Sequence, residues 1–228
     1  MELTEILNNV LAQSGFLERS SFTNSNDPDD KQMVAIANRA AYEIMNFYNW
    51  TELRRSAEIN LNDTDVSYDL PADYQSFIPD SAWETDGSRK VDVPVPDAEW
   101  YQYKFSSLTS SGIIRARFYG KKLEVAEPFV GGKISFEYIS GYPILNSLNE
   151  QKQTFTEDTD TWLLDDQLLI LGIQAHWQQT KMMPTYSEHM GNYMVKMAEA
   201  ISRSNQGQTI GGSSELLRRD PYTKLWVN

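Results

Sequence analysis

The stretch that decides the fold runs from Asp158 to Ser204 and reads DTDTWLLDDQLLILGIQAHWQQTKMMPTYSEHMGNYMVKMAEAISRS. It predicts two helices joined by a turn at Pro184. The first helix has almost no polar face through its middle, and such a helix must be covered on most sides by other elements. Its apolar residues are Leu163, Leu164, Leu168, Leu169, Ile170, Leu171 and Ile173. We therefore expect this helix to lie at the centre of the domain.

The second helix of the pair is apolar on one side only. Its apolar residues recur at helical spacing, which is typical of a helix that packs against a single surface. They are Tyr186, Met190, Tyr193, Met194, Met197 and Ile201.

Two amphipathic segments near the N-terminus are the predicted cover for the central helix. The first ends at Gly15. The second begins at Asp27 and Pro28, because Asp accepts from free helix amides and Pro suits the first helical position. The first apolar stripe comprises Leu3, Ile6, Leu7, Val10 and Leu11, and the second comprises Met33, Ile36, Ala37, Ala40, Ala41, Ile44 and Tyr48.

Between residues 52 and 142 the apolar pattern changes to an alternating one, which indicates strands. The clearest element is a hairpin over residues 113–126 that turns at Gly120. A later strand carries Ile134, Phe136 and Tyr138 on one face. Further strands are predicted over residues 53–59, 68–71, 77–83 and 89–95, and a short helix over residues 96–105.

The predicted fold class is α+β: a helical bundle with an inserted small antiparallel β-domain and an extended C-terminal tail. The bundle is assigned residues 1–51 and 158–203, the β-domain residues 52–142, a connecting loop residues 143–157, and the linker and tail residues 204–228.

The composition limits which classes of protein this chain can belong to. The chain has 228 residues, 40% of them hydrophobic, and no cysteine, which removes disulfides, thiolate zinc sites and cysteine nucleophiles. Its net charge of -12 argues against binding of a phosphate backbone, which requires Lys and Arg. No apolar run reaches the roughly 18 residues that span a bilayer, and the N-terminus lacks a signal-peptide pattern. We expect a soluble protein that is not secreted.

The C-terminal segment changes character after Ser204. A linker, SNQGQTIGGSS, precedes the apolar and basic segment ELLRRDPYTKLWVN. Such a segment either folds back on its own domain or docks on a partner. We predict docking, because the linker gives reach and because Trp, Tyr and Arg dominate binding hot spots. The predicted docking residues are Leu216, Leu217, Arg218, Arg219, Tyr222, Leu225 and Trp226.

Candidate sites for chemistry are few. The Asp-x-Asp patterns at Asp63 and Asp65 and at Asp158 and Asp160 suit a divalent cation, but Asp is also favoured at turns and caps. The histidines His176 and His189 match no metal motif, so we expect them at the surface or an interface. We assign no catalytic, cofactor-binding or metal-binding residue and expect no enzyme activity.

Two other residue classes carry weaker predictions. The tryptophans are expected to fill the core or seams between subunits; they are Trp50, Trp83, Trp100, Trp162 and Trp177. The basic residues of the β-region are either solvated on strand faces or salt-bridge partners of a neighbouring subunit; they are Arg54, Arg55, Arg115 and Arg117.

Several residue strings carry a family resemblance. They are YNW at 48–50, LPADY at 70–74, FIPDSAW at 77–83, FEYIS at 136–140 and DTWLLDD at 160–166. Their order and spacing, over residues 1–203, resemble the head-to-tail adaptor (connector) proteins of short-tailed bacteriophages.

The resemblance implies a structural protein of the virion, made in the host cytoplasm and located at the head–tail junction. Such adaptors form a ring, expected to be a dodecamer, beneath the portal protein ring. They extend the DNA channel, help to retain the packaged genome and hold the tail nozzle or tail fibre proteins. The docking tail would reach the portal, and DNA would pass without specific binding. No cofactor and no membrane are implied. We expect a monomer in isolation.

In such a ring the excess apolar surface of the helix pair would form a seam between subunits. The predicted seam residues are Trp177, Tyr186, Met190, Tyr193, Met194 and Met197. Two alternatives stay open: a metal-dependent enzyme that uses Asp158 and Asp160, and a soluble binding module whose tail captures a host protein.

Overall fold

The structure is a computed structural model that describes residues 1–86, 89–105, 113–128 and 132–206. Its helices are α1 (Leu3–Gln13), α2 (Pro28–Phe47), α3 (Asp97–Phe105), α4 (Asp166–Thr180) and α5 (Tyr186–Gln206). Its strands are β1 (Arg54–Leu61), β2 (Ser67–Asp69), β3 (Tyr74–Phe77), β4 (Trp83–Glu84), β5 (Arg89–Asp92), β6 (Ile114–Tyr119), β7 (Lys122–Val125), β8 (Gly132–Ser140), β9 (Ile144–Leu145), β10 (Gln151–Lys152) and β11 (Thr161–Trp162). The predicted α+β class is confirmed.

Helix α4 is the covered helix that its sequence predicts. It contacts α1, α2 and α5, and Leu168, Leu169 and Ile173 are completely buried. Burial of a Leu or Ile side chain stabilises a fold by about 1.5–3 kcal/mol. Helix α4 is therefore the centre of the helical core.

The start of α4 differs from the sequence prediction. Asp165 is the N-cap, and its side chain accepts from the amides of Gln167 and Leu168. Leu163 and Leu164 consequently precede the helix and follow strand β11. The apolar run misled the prediction, because two leucines beside a helix look the same in sequence as two leucines within it.

Helices α1 and α2 supply the predicted cover. All five apolar residues of the α1 stripe are buried, and Gly15 follows the helix with a φ of 76°, a conformation that favours glycine. Asp27 caps α2 by accepting from the amide of Asp29, and Pro28 occupies the first helical position. Local capping chemistry therefore sets where α1 ends and where α2 begins.

Gly172 lets α4 and α5 approach closely. A Cβ at this position would lie 3.1 Å from Cε2 of Tyr193 and 3.5 Å from Cβ of Ala40. The first distance is shorter than ordinary van der Waals contact, so the absence of a side chain is what admits the Tyr193 ring.

The β-region forms a mixed sheet of eight strands in the order β1-β8-β4-β5-β6-β7-β2, with β3 also paired to β8. The pairs are antiparallel except β5 with β6, which are parallel, so the β-domain is a mixed sheet and not the antiparallel one predicted. The hairpin of β6 and β7 turns at Gly120 as predicted, with Phe118 opposite Leu123. Residues 77–83 are not one strand as predicted: β3 ends at Phe77, a turn with a φ of 62° at Asp80 follows, and β4 begins at Trp83.

Two clusters of buried apolar residues lie in the described chain. One joins the helices to Leu53, Ile139 and Phe155, and the other lies on the sheet and includes Phe136 and Tyr138. Strand β8 contributes to both clusters. Residues 143–157, predicted as a connecting loop, contain the short strands β9 and β10. The proposed domain boundaries stay a prediction.

Among the described residues, no helix is both long and apolar enough to cross a membrane.

Candidate functional site

The six predicted seam residues fall into two groups by exposure. Trp177, Tyr193 and Met197 are buried in the chain's own core. Tyr186 and Met190 are half-buried, and Met194 is 44% exposed. Contact of these residues with a neighbouring subunit stays a prediction. Only Tyr186, Met190 and Met194 have side-chain surface that a neighbouring subunit could cover.

A groove between α2 and α5 brings Met194 together with exposed apolar residues of α2. Tyr42 is 58% exposed and Phe47 is 37% exposed, and both line the groove. The buried side chains of Tyr193 and Met197 lie at its floor. Apolar groups from two helices thus form one surface, and contiguous exposed apolar surface is typical of an interaction site.

His176 is buried and not at the surface, which corrects the prediction for this histidine. Its Nε2 lies 2.6 Å from Oε2 of Glu43 on α2, and its ring meets Tyr193 edge to face with centroids 6.3 Å apart. Arg39 holds the other oxygen of Glu43 at 2.9 Å. The pair therefore links α4 to α2 beneath the groove. His189 is half-buried on α5.

Asp165 combines its helix cap with two ion pairs to α5. Its Oδ2 lies 3.1 Å from Nζ of Lys196 and 3.2 Å from Arg203. Burial raises the pKa of Asp165, but the donors, Lys196 foremost, outweigh burial, so its pKa is lower than usual. The carboxylate thus fixes the start of α4 against the second half of α5.

Asp158 joins the segment before α4 to the loop between α1 and α2. Its carboxylate accepts from Oγ of Ser21 at 2.5 Å and from the amides of Phe22 and Thr23 at 2.9 and 3.1 Å. Burial raises its pKa, and these donors together lower it below the usual value. Its backbone oxygen also accepts from Thr4.

Asp160 is completely buried and pairs with Nζ of Lys152 at 2.6 Å. It also accepts from the amides of Thr156 and Glu157. The carboxylates of Asp158 and Asp160 are thus engaged by donors of this chain, an arrangement typical of loop fixation. In the described part of the chain, no group of three or more His, Cys, Asp and Glu residues is placed to hold a metal ion.

The arginines of the β-region make contacts within the chain. Arg117 pairs with Glu124 at 2.8 Å and Asp97 at 3.2 Å, and its guanidinium lies 4.5 Å from the Trp100 ring. Burial lowers its pKa, but the contacts, that with Glu124 foremost, outweigh burial, and the pKa is raised. Arg54 pairs with Glu137. These two arginines therefore already have salt-bridge partners in their own subunit.

The other two arginines also contact groups of this chain. Arg115 lies 3.9 Å from the centre of the Tyr103 ring, and Arg55 donates to the backbone oxygen of Glu52.

The predicted tryptophans are mostly in the core. Trp50, Trp100, Trp162 and Trp177 are buried, whereas Trp83 is 48% exposed. Trp83 is therefore not a core residue: neighbouring residues of a strand point to opposite faces, and on β4 it is Glu84 that is buried.

The predicted docking tail lies outside the described residues. Its members are Leu216, Leu217, Arg218, Arg219, Tyr222, Leu225 and Trp226.

The fold and its surfaces define an α+β protein with a buried central helix, α4, and an apolar interhelical groove. The family model described as SU10 adaptor protein matches residues 1–214. The chain belongs to this family, which is one of phage head-to-tail adaptors, and the resemblance seen in the sequence is confirmed. No curated protein sequence matches the chain.

The sequence analysis missed the link between His176 and Glu43 and the groove above it. The residues concerned lie 133 positions apart, so no local pattern reports their contact. One feature of the sequence pointed to this contact. Glu43 lies beside the apolar stripe of α2, and a half-buried carboxylate requires a hydrogen-bond or ion-pair partner.

Proposed function

We propose that the chain is a structural head-to-tail adaptor of a bacteriophage virion that forms a ring beneath the portal. In this role it extends the DNA channel, helps to retain the packaged genome and holds the tail nozzle or fibre proteins. The observation that carries the proposal is the match of the adaptor family over residues 1–214, nearly the whole chain. The proposed location is the head–tail junction.

The ring seam is proposed on the exposed faces of α5 and α2. Met194 and Val195 of α5 are 44% and 61% exposed, and Tyr42 of α2 is 58% exposed. A head-to-tail contact between copies closes into a ring when its rotation permits. The exposed apolar side chains support such a contact between copies. The half-buried Tyr186 and Met190 lie on the same helix, α5, and belong to the proposed seam.

The acidic character of the chain supports a channel wall along which DNA moves. The net charge is -12, and a phosphate backbone is repelled by carboxylates and held by Lys and Arg. Arg54 and Arg117, which would otherwise attract phosphates, are paired with Glu137 and Glu124.

The test is the assembly state with and without the portal protein of the same phage. Light scattering behind a sizing column should give a monomer of 26.2 kDa for the free chain. After mixing with portal rings, the two proteins should comigrate, and particle images should show an added ring of about twelve copies, the number that the family resemblance implies. A chain that stays monomeric beside intact portal rings would contradict the proposal.

A further inference from the structure

The groove between α2 and α5 has the size of one or two side chains. Its volume is about 350 Å³, and seven residues line it: Tyr42, Glu43, Asn46, Phe47, Tyr193, Met194 and Met197. Five of the seven side chains are aromatic or apolar. An apolar segment that filled the groove would remove exposed surface of Tyr42, Phe47 and Met194 from water, which stabilises by about 25 cal/mol per Å².

Glu43 gives the groove a negative charge. It is the one ionised residue of the lining, and its side chain is 38% exposed. Arg39 and His176 each contact one of its oxygens. A carboxylate offers about four acceptor positions, so Glu43 has capacity for a further cationic donor. The groove therefore suits an apolar segment that carries a basic residue.

We propose that in the free chain this groove is occupied by the chain's own C-terminal segment, residues 215–226. The segment reads ELLRRDPYTKLW and combines two adjacent leucines with two adjacent arginines. It has three basic and two acidic residues in a chain whose net charge is -12. Leu216 and Leu217 fill the groove, and Arg218 or Arg219 approaches Glu43.

The linker is long enough for this contact. Helix α5 ends at Gln206, and Met197 lies nine residues earlier, which is about 14 Å along a helix at 1.5 Å per residue. The eight residues 207–214 span up to roughly 26–29 Å when extended. The segment can therefore return to the groove of the same chain, with length to spare.

A contact within one chain outcompetes the same contact between chains at ordinary concentrations. A short linker gives the tethered segment an effective concentration in the millimolar range. Purified protein is far more dilute than this, so occupancy by a second copy is disfavoured until a ring holds the copies together.

A second cavity, of about 750 Å³, lies nearer to the end of α5 and includes Ser204 in its lining. Arg54 and Arg203 also line it. Glu52 and Asp165 line it as well, so the charges on its wall balance, whereas Glu43 is the one charged residue of the groove lining. The basic pair of the tail therefore fits the groove beside Glu43 better.

The contact would shield both surfaces of an unassembled chain. While the segment lies in the groove, the apolar groove is closed to a neighbouring copy and the tail is closed to a portal. The contact within the free chain does not depend on ring formation, so its test is separate from the sizing experiment.

The absence of cysteine in the chain permits a clean crosslinking test. Two full-length variants each carry Leu217→Cys, one with Met194→Cys and the matched control with Val195→Cys. Positions 194 and 195 are adjacent on α5 and equally far from the tail, but only Met194 lines the groove, and Val195 is the more exposed. A tail without a preferred site would therefore link to position 195 at least as fast.

Under oxidised glutathione, we expect the intrachain disulfide with position 194 to form at least tenfold faster than that with position 195. Mass spectrometry and nonreducing gels measure the rate, and circular dichroism confirms that both variants are folded. Adding Arg218→Glu and Arg219→Glu should slow the link to position 194 at least threefold. Equal rates at 194 and 195, disulfide-linked dimers as the main product, or no effect of the charge reversal would each overturn the proposal.

Discussion

Asp158 holds donors from a loop 135 to 137 residues away in sequence, and it does so as an anion. Its lowered pKa means that folding and ionisation are linked. A carboxyl group whose pKa is lower in the folded state adds stability above its unfolded value, and that contribution is lost as the pH falls through the folded value. The loop between α1 and α2 is therefore fixed by a charge.

Asp158→Asn should lower the free energy of unfolding by about 1.5–3 kcal/mol near neutral pH, because hydrogen bonds to a charged group contribute this much. The difference from the unmodified chain should shrink as the pH falls below the ordinary value of 3.8. Urea unfolding at about pH 7 and about pH 3 measures the loss in the free energy of unfolding and its dependence on pH. Glu157→Gln, at an exposed carboxylate next to it, is the control and should change little. A pH-independent difference would contradict the charge argument.

At the scale of elements, the close contact of α4 with α5 organises the helical core. Gly172 admits the Tyr193 ring, and His176, one turn further along α4, meets the same ring edge to face. Asp165 holds the start of α4 to Lys196 and Arg203 of α5. The two helices are therefore joined at several levels, which suits a pair that presents one rigid surface.

Gly172→Leu should destabilise the chain by about 1–3 kcal/mol, because the added side chain collides with Tyr193 and overpacking costs this much. The matched control is Gly191→Ala on α5, where a Cβ would meet nothing within 4 Å. That variant should gain up to about 1 kcal/mol from helix propensity. Denaturant unfolding of both variants decides the question. If Gly172→Leu left the free energy of unfolding unchanged, the Tyr193 ring would be able to move aside without cost, which would contradict the prediction.

At the scale of the whole molecule, the two apolar clusters share strand β8, so the sheet and the helices are connected through a packed element. Residues 207–228 follow α5, the longest described helix, in sequence. In the proposed assembly, the folded part would provide the ring and this segment the portal contact.

A chain that ends at Ser214 should lose comigration with portal rings, because the apolar and basic docking residues are gone. Its far-ultraviolet circular dichroism should keep the helix signal of residues 1–206. Thr223→Ala in the full chain is the control, since it alters the tail without removing a predicted docking residue. Undiminished association of the shortened chain with the portal would show that the tail is not the docking element.

Local chemistry explains which features the sequence predicted correctly. The stripes of α1 and α2, the cap at Asp27, and the hairpin turning at Gly120 follow from periodicity, capping and turn geometry over a few residues. Family membership also followed from residue order. The sequence analysis did not predict the break within residues 77–83. The turn there has Asp80 at positive φ, a conformation that a glycine usually marks in a sequence, and no glycine stands at this position.

The sequence by itself determined the elements of this protein, its α+β class and its family, because those depend on side-chain patterns along the chain. Only the tertiary structure decided that His176 meets Glu43, that Asp158 holds the loop at Ser21, and that Tyr42 and Met194 share one groove. These contacts join residues more than a hundred positions apart, and the packing of α2, α4 and α5 creates them.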